Sequence, residues 1–110
     1  MLTMNARIFA SGVIVAAVSL GTAAPAFADS DSENFVNMLA RYGEDVSGPE
    51  VALASVDVGY AICNLLETYN SGPQMLSYMI NNGRSPENAN LWLAASVINL
   101  CPELNYLTGY

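Results

Sequence analysis

The sequence predicts an all-α fold: a small bundle of about four short helices, with one intramolecular disulfide joining the second helix to the end of the fourth. Three observations support this prediction. Beyond residue 28, apolar residues recur at helical spacing, serine and proline stand at the expected starts of helices, and no alternating apolar and polar run bounded by turns suggests a strand. With 110 residues, 53% of them hydrophobic, the chain has room for one small domain.

Residues 1–28 have the pattern of a secretory signal peptide. Arg7 is the only charged residue before Asp29, Ile8 to Leu20 is an unbroken weakly polar to apolar run, and Ala26-Phe27-Ala28 fits a small-x-small cleavage site. The alternative is an uncleaved anchor, but the thirteen-residue run is shorter than the roughly 20 residues that a spanning helix needs. We therefore expect cleavage before Asp29, secretion, and no integral membrane segment afterwards.

The expected mature domain, residues 29–110, is strongly acidic. It carries two arginines, Arg41 and Arg84, against ten carboxylates, which gives a net charge of −8. Such a surface repels nucleic acid and anionic lipid, so we expect neither as a partner. The simplest explanation of the charge is solubility.

The two cysteines, Cys63 and Cys101, are expected to form the disulfide. An even pair in a short exported domain favours a bridge, and two cysteines allow one connectivity within the chain. The alternative is a redox-active pair. It is disfavoured because the cysteines are 38 residues apart and no basic group lies nearby in sequence to favour a thiolate.

The first predicted helix begins at an N-cap serine, Ser32, and ends at Gly43 in the C-cap position. Its apolar face consists of Phe35, Met38, Leu39 and Tyr42. The residues from Asp29 onward that precede the helix are expected to fray.

The second predicted helix is the central one. It opens at Ser47, where the serine caps the helix and Glu50 reaches back as in a capping box. Its apolar stripe comprises Val51, Ser55, Val58, Ile62, Leu65, Leu66 and Tyr69, widened on one flank by Ala52, Val56, Gly59 and Cys63. So wide an arc predicts contact with more than one neighbour. Gly59, one turn before Cys63, is expected to let another helix come close.

Two further helices share a start signal, a serine shortly before a proline. The third begins at Ser71 and ends at Asn82-Gly83, and the fourth begins at Ser85 and ends before Pro102. Their apolar faces are Met75, Leu76, Met79 and Ile80 in the third helix, and Ala89, Leu93, Ser96, Val97 and Leu100 in the fourth, with Ala94, Ile98 and Cys101 alongside. Residues 103–110 are expected to be a short tail.

Several pieces of this pattern together resemble a known family. They are an F-x-x-x-L opening, a glycine, a second glycine one turn before a cysteine followed by leucines, and a Cys-Pro pair: Phe35, Leu39, Gly43, Gly59, Cys63, Leu65, Leu66, Cys101 and Pro102. In this order after a signal peptide, they are similar to the small secreted mycobacterial proteins grouped as the domain of unknown function DUF732. The resemblance implies a compact helical domain, an intramolecular disulfide and export from an actinobacterial cell, and it brings no established activity.

The residue types argue against an enzyme. The sequence contains no histidine and no lysine to act as a base near neutral pH, and both thiols are expected to be oxidised. Asp57 and Glu67 are better explained as the solvated face of the second helix, together with Asn64 and Thr68. The acidic start, from Asp29 to Glu33, lacks the glycine and the distal glutamate of a calcium loop. We expect no catalytic residue, no cofactor and no metal.

An interaction module is the function that the sequence favours. A helical wheel puts Leu53 and Tyr60 on the polar side of the second helix, where they are either covered by another segment, such as the tail, or form a partner surface. With the tail residues Tyr106, Leu107 and Tyr110, they are the candidate surface for an unidentified protein or cell-envelope component.

The alternative function is a carrier of a small apolar ligand such as haem or lipid. Aromatic and methionine side chains are available to line a pocket, and a tyrosine phenolate can hold haem iron. The residues concerned are Tyr42, Tyr60, Tyr69, Tyr78, Trp92, Met38, Met75 and Met79. Such residues at helical spacing belong to a core more often than to a pocket, and 82 residues leave little volume for a cavity.

Overall fold

The computed structural model describes residues 29–110, which form four α-helices and a C-terminal 3₁₀ helix. The helices are α1 (Ser30–Arg41), α2 (Pro49–Tyr69), α3 (Gly72–Asn81), α4 (Pro86–Asn99) and the 3₁₀ helix (Pro102–Leu107). This part of the chain contains no strand, so the predicted all-α class is confirmed. The predicted signal peptide, residues 1–28, lies outside the described residues.

Glycines end α1 and α3 in the same way. Gly43 and Gly83 each follow the C-cap residue with a positive φ, 97° and 104°, which glycine adopts without steric cost. The residue after each glycine, Glu44 or Arg84, donates its backbone N–H to a carbonyl of the last helical turn. The chain therefore leaves both helices in the same geometry, with a charged residue directly after the turn.

The start of α1 differs from the prediction. The N-cap is Asp29, whose carboxylate accepts the backbone N–H of Ser32 at 2.8 Å. A carboxylate at this end of a helix is favoured by the positive end of the helix dipole, as are Asp31 and Glu33 in the first turn. Ser32 lies inside the helix and is buried, and of the residues expected to fray, Ser30 and Asp31 are helical and Asp29 is the cap.

The predicted capping box of α2 is wrong. The N-cap is Gly48, and Ser47 instead donates its hydroxyl to the carboxylate of Asp45 at 2.7 Å, with its backbone N–H directed to the same oxygen. An acceptor two residues earlier competes for the serine before the helix begins. The predicted caps of α3 and α4 form: Ser71 and Ser85 accept the backbone N–H groups of Gln74 and Asn88.

The predicted tail is not a simple tail. Residues Pro102–Leu107 form the 3₁₀ helix, and its Leu104 is buried in the core. The chain then crosses the start of α3, where a Cβ built on Gly72 would lie 2.5 Å from the carbonyl oxygen of Leu107. The missing side chain of Gly72 therefore makes room for the C-terminal segment.

The most enclosed helix is α4, not α2 as the sequence suggested. It packs against α1, α2, α3 and the 3₁₀ helix, and its buried residues surround most of its circumference: Ala89, Trp92, Leu93, Ala95, Ser96 and Val97. Trp92 and Ala95 were missing from its predicted face, whereas Ile98, which was predicted there, is 49% exposed. A helix with neighbours around most of its circumference shows no narrow apolar stripe.

The disulfide joins α2 to the residue that precedes the 3₁₀ helix. Cys63 and Cys101 are bonded, with their Cα atoms 6.1 Å apart, as predicted. One turn earlier in α2, a Cβ built on Gly59 would lie 2.6 Å from Cδ1 of Leu100 and 2.7 Å from Cζ of Phe35. Gly59 thus lies where side chains from α1 and the end of α4 approach the backbone of α2 too closely for any side chain.

Candidate functional site

The inner face of α2 is rotated from the predicted stripe. The residues buried against the domain are Ala52, Ser55, Val56, Gly59, Ile62, Cys63 and Leu66. Val51 and Val58, which were predicted on that stripe, are 48% and 37% exposed. The helix is therefore oriented by the flank that carries Gly59 and Cys63, because the close approach and the disulfide lie on that side.

The exposure of Val51 and Val58 follows from the lengths of two helices. α2 has 21 residues and α3 has 10, so α2 is about 31 Å long and α3 about 15 Å at 1.5 Å per residue. The two helices meet at the end where the chain turns, with the rings of Tyr69 and Tyr78 5.8 Å apart. α3 therefore ends before it reaches the N-terminal half of α2.

We define the α2 outer face as the solvent-exposed side of the first three turns of α2. Its apolar members are Val51, Leu53, Ala54, Val58, Tyr60 and Ala61, and its acidic members are Glu50 and Asp57. Leu53 and Tyr60 are 48% and 40% exposed, so no other segment of the described domain buries them. This face is the candidate functional site.

The acids and the apolar residues of the α2 outer face are arranged in rows. Glu50 and Asp57 are seven residues apart, which is two helical turns, and so lie on one line along the helix. Leu53 and Tyr60, also seven residues apart, form a row on one side of that line. Val51, Ala54, Val58 and Ala61 lie on its other side. The face therefore has an acidic row between two apolar rows.

The tail residues do not extend this face to Leu53. Leu107 is half-buried beside Gly72, just beyond the C-terminal end of α2, whereas Leu53 is 16 residues before Tyr69, or about 24 Å along the helix. The hydroxyl of Tyr110 donates to the side chain of Asn90 at 3.3 Å, and burial raises the pKa of Tyr110. Tyr106 is 75% exposed.

The residues considered for a ligand pocket are divided between core and surface. Trp92, Met75 and Met79 are buried, Met38 and Tyr69 are half-buried, and Tyr42, Tyr60 and Tyr78 are exposed. The carrier function stays a prediction.

A polar cluster that the sequence analysis missed connects two loops to α4. Glu44 accepts the indole N–H of Trp92 at 2.9 Å and the side-chain amide of Asn88 at 3.2 Å. Arg84 donates to Asn88 at 2.6 Å, and its guanidinium carbon lies 4.7 Å from the centre of the Trp92 ring. We call Glu44, Arg84, Asn88 and Trp92 the loop cluster. Its polar groups form hydrogen bonds with one another, so we interpret the cluster as a contact that stabilises the fold and not as a binding site.

The signal for the loop cluster was present in the sequence. Glu44 and Arg84 each follow a glycine that ends a helix, so the same turn aims both residues at the N-terminal half of α4. The partner residues lie 44 and 48 residues from Glu44 in the chain, which is why local spacing did not reveal them.

Residues 29–110 contain no group of three or more histidine, cysteine, aspartate or glutamate side chains that could hold a metal ion. Asp29, which was considered for a calcium site, caps α1.

By length and composition, α2 is long and apolar enough to cross a membrane, a test that core helices also pass. Seven of its residues are buried in the domain and Cys63 is bonded to Cys101, so α2 is a core helix here. An aspartate near the middle of a spanning helix also costs about 2.5 to 3.5 kcal/mol. The hydropathy of α2 reflects two apolar sides, the buried inner face and the exposed outer face.

Comparison with known proteins identifies a family, but the description of that family assigns no activity. No curated protein and no solved structure matches the chain. The family model described as "Protein of unknown function (DUF732)" matches residues 28–103, a range that includes both cysteines, Gly59 and the α2 outer face. The chain therefore belongs to the DUF732 family.

Proposed function

We propose that this protein is a secreted, non-enzymatic interaction module that binds a protein partner at the mycobacterial cell envelope or outside the cell. The α2 outer face is its docking surface. The observation that supports this function is the exposure of Leu53 and Tyr60 on a helix whose opposite side is fixed in the core. Apolar residues grouped on one exposed face are typical of interaction sites, and tyrosine is among the residues that contribute most to binding energy.

Export is part of this proposal. A disulfide persists in an oxidising compartment, and residues 1–28 have the pattern of a signal peptide. A secreted domain with an uncovered apolar face meets its partner outside the cytoplasm. The absence of histidine and lysine from the sequence, with both thiols in the disulfide, favours binding over catalysis.

Site-specific photo-crosslinking tests the docking surface. Tyr60 is replaced by the photo-crosslinker p-benzoylphenylalanine in the full-length chain, which is expressed in its own cells and irradiated. We expect a discrete adduct with one protein, identified by mass spectrometry of the crosslinked peptides. The matched control has the same crosslinker at Ile98, an apolar residue of α4 that is 49% exposed.

Two outcomes would contradict the proposal. Equal amounts of adduct from positions 60 and 98 would show that the contact is unspecific. No adduct from position 60 would show that the α2 outer face is not the docking surface. Native mass spectrometry of the secreted protein adds a separate check. A stoichiometric small molecule on the purified chain would favour the carrier function instead.

A further inference from the structure

We infer that the segment bound by the α2 outer face is a basic amphipathic helix, with arginine or lysine side chains seven residues apart between apolar ones. This inference rests on the proposed function and adds the chemistry of the partner. It is drawn from the charge and the spacing of the exposed residues on α2.

The spacing of the acids matches a helical partner. Glu50 and Asp57 are both exposed and lie about 10.5 Å apart along the helix axis. Two helices that pack nearly parallel or antiparallel repeat their contacts about every seven residues. A partner helix with basic residues at that spacing meets both acids at once, while its neighbouring apolar side chains fill the two apolar rows.

The length of the face sets the length of the partner segment. From Glu50 to Ala61 the face extends about 17 Å at 1.5 Å per residue. A partner helix of three to four turns covers this distance. The acidic row ends at Asp57, because the next residue on the same line of the helix, Asn64, is neutral.

The charge of the domain disfavours two other occupants. A second copy would bring its own Glu50 and Asp57 to the same interface, and each copy has a net charge of −8 over residues 29–110. The domain's two arginines do not lie on the α2 outer face: Arg41 is the last residue of α1 and Arg84 belongs to the loop cluster. An anionic membrane surface meets the same repulsion.

A pair of designed peptides tests the inference on the secreted, oxidised protein. Both peptides are amphipathic helices of four turns with the same leucine positions, and they carry either arginine or glutamate at every seventh position. Fluorescence anisotropy should show saturable binding of the arginine peptide, at least about tenfold tighter than that of the glutamate peptide and weaker at higher salt.

Charge reversal with a matched control makes the test specific to the face. The variant Glu50→Arg with Asp57→Arg should reverse the preference between the two peptides. The control variant, Glu87→Arg with Glu103→Arg, changes the net charge equally at exposed residues outside α2 and should keep the original preference. Circular dichroism verifies that both variants are folded. If both variants lose the preference for the arginine peptide to the same extent, the attraction is a general effect of net charge, and the inference is overturned.

The remaining outcomes separate this inference from the function on which it rests. If both peptides bind equally and the variant Leu53→Gln weakens both, the docking surface stands and the basic partner is wrong. If Leu53→Gln changes neither peptide binding nor crosslinking from position 60, the docking surface is wrong as well. A dimer in sedimentation that Leu53→Gln dissociates would identify a second copy as the occupant and overturn the inference.

Discussion

The two helices that contain or adjoin the cysteines, α2 and α4, have similar apolar compositions and very different surroundings. α4 is enclosed by α1, α2, α3 and the 3₁₀ helix, and most of its apolar side chains are buried. α2 is buried along one side, and the α2 outer face leaves apolar side chains in water. The apolar content of a helix therefore does not tell how much of it is core. The lengths and positions of its neighbours decide that.

The largest effect should come from the bond that joins the two helices. The double variant Cys63→Ala with Cys101→Ala removes a bridge that closes a 38-residue loop, and the free energy of unfolding should fall by about 4 kcal/mol. Urea denaturation followed by circular dichroism measures the loss. Alkylation of the wild-type protein without reductant should label neither cysteine, and labelling of both would contradict the bridge.

A matched pair of leucines compares the two helices directly. Leu93 of α4 is fully buried, so Leu93→Ala should destabilise the fold by about 2 to 5 kcal/mol through lost contacts and a cavity. Leu53 is 48% exposed, and Leu53→Ala should change the free energy of unfolding by about 0.5 kcal/mol or less. Similar denaturation midpoints for the two variants would mean that Leu53 is covered in solution.

The two sides of α2 should also respond differently to substitution. Gly59→Leu inserts a side chain where even a Cβ would meet Leu100 and Phe35, which should cost about 1 to 3 kcal/mol. Asp57→Ala changes a residue on the α2 outer face and should stay within about 0.5 kcal/mol. Thermal unfolding of both variants measures this difference. Equal melting temperatures would show that α2 is oriented differently.

The loop cluster should contribute less than the core. Trp92→Phe keeps an aromatic ring against Phe35, whose ring centre is 5.9 Å away, but removes the N–H that Glu44 accepts. Because the partly buried hydrogen bond and part of the buried ring next to Arg84 are both lost, the cost should be at least about 1 kcal/mol, measured by denaturation in urea. Glu44→Gln keeps an acceptor oxygen for the indole and loses only the weaker bond from Asn88, so it should cost less. A larger loss for Glu44→Gln would mean that the charge of Glu44 and its bond to Asn88, and not the bond to the indole, stabilise the cluster.

How much the sequence could predict depended on how far apart in the chain the interacting residues lie. The four helices, the serine caps of α3 and α4, and the disulfide followed from local spacing and from the even pair of cysteines. The rotation of α2 did not, because the close approach at Gly59 depends on side chains of α1 and α4 that lie 24 and 41 residues away in the chain. The place of Trp92 on the buried face of α4 was missed for the same reason, since its partner Glu44 lies 48 residues earlier.

The candidate site was predicted in part. The wheel identified Leu53 and Tyr60 on the side of α2 that faces water, because their neighbours there are acidic or neutral polar residues. It missed Val51 and Val58, which a helical wheel assigns to the apolar stripe whether or not another helix reaches them. Their exposure follows from the end of α3, and a sequence gives the length of a helix more readily than its position against a neighbour.

The smallest expected effect compares the starts of α2 and α4. Ser85 caps α4 through the backbone N–H of Asn88, so Ser85→Ala should cost about 1 kcal/mol. Ser47 makes no such cap, and Ser47→Ala should change the free energy of unfolding by less than about 0.5 kcal/mol. Equal losses in the two variants would show that Ser47 caps α2 after all.

The substitution Ser47→Ala should still change the pKa of the Asp45 carboxyl. The hydroxyl and then the backbone N–H of Ser47 lower the pKa of the Asp45 carboxyl, so removing the hydroxyl should raise that pKa toward its ordinary value. A lowered folded-state pKa stabilises the fold above the unfolded pKa, and this contribution is lost as the pH falls through the folded value. Because Asp45 is fully exposed, solvent screens that contribution, so acid denaturation should hardly differ between variant and wild type. An NMR titration of the Asp45 carboxyl measures the change, and an unchanged pKa would mean that the Ser47 hydroxyl points elsewhere in solution.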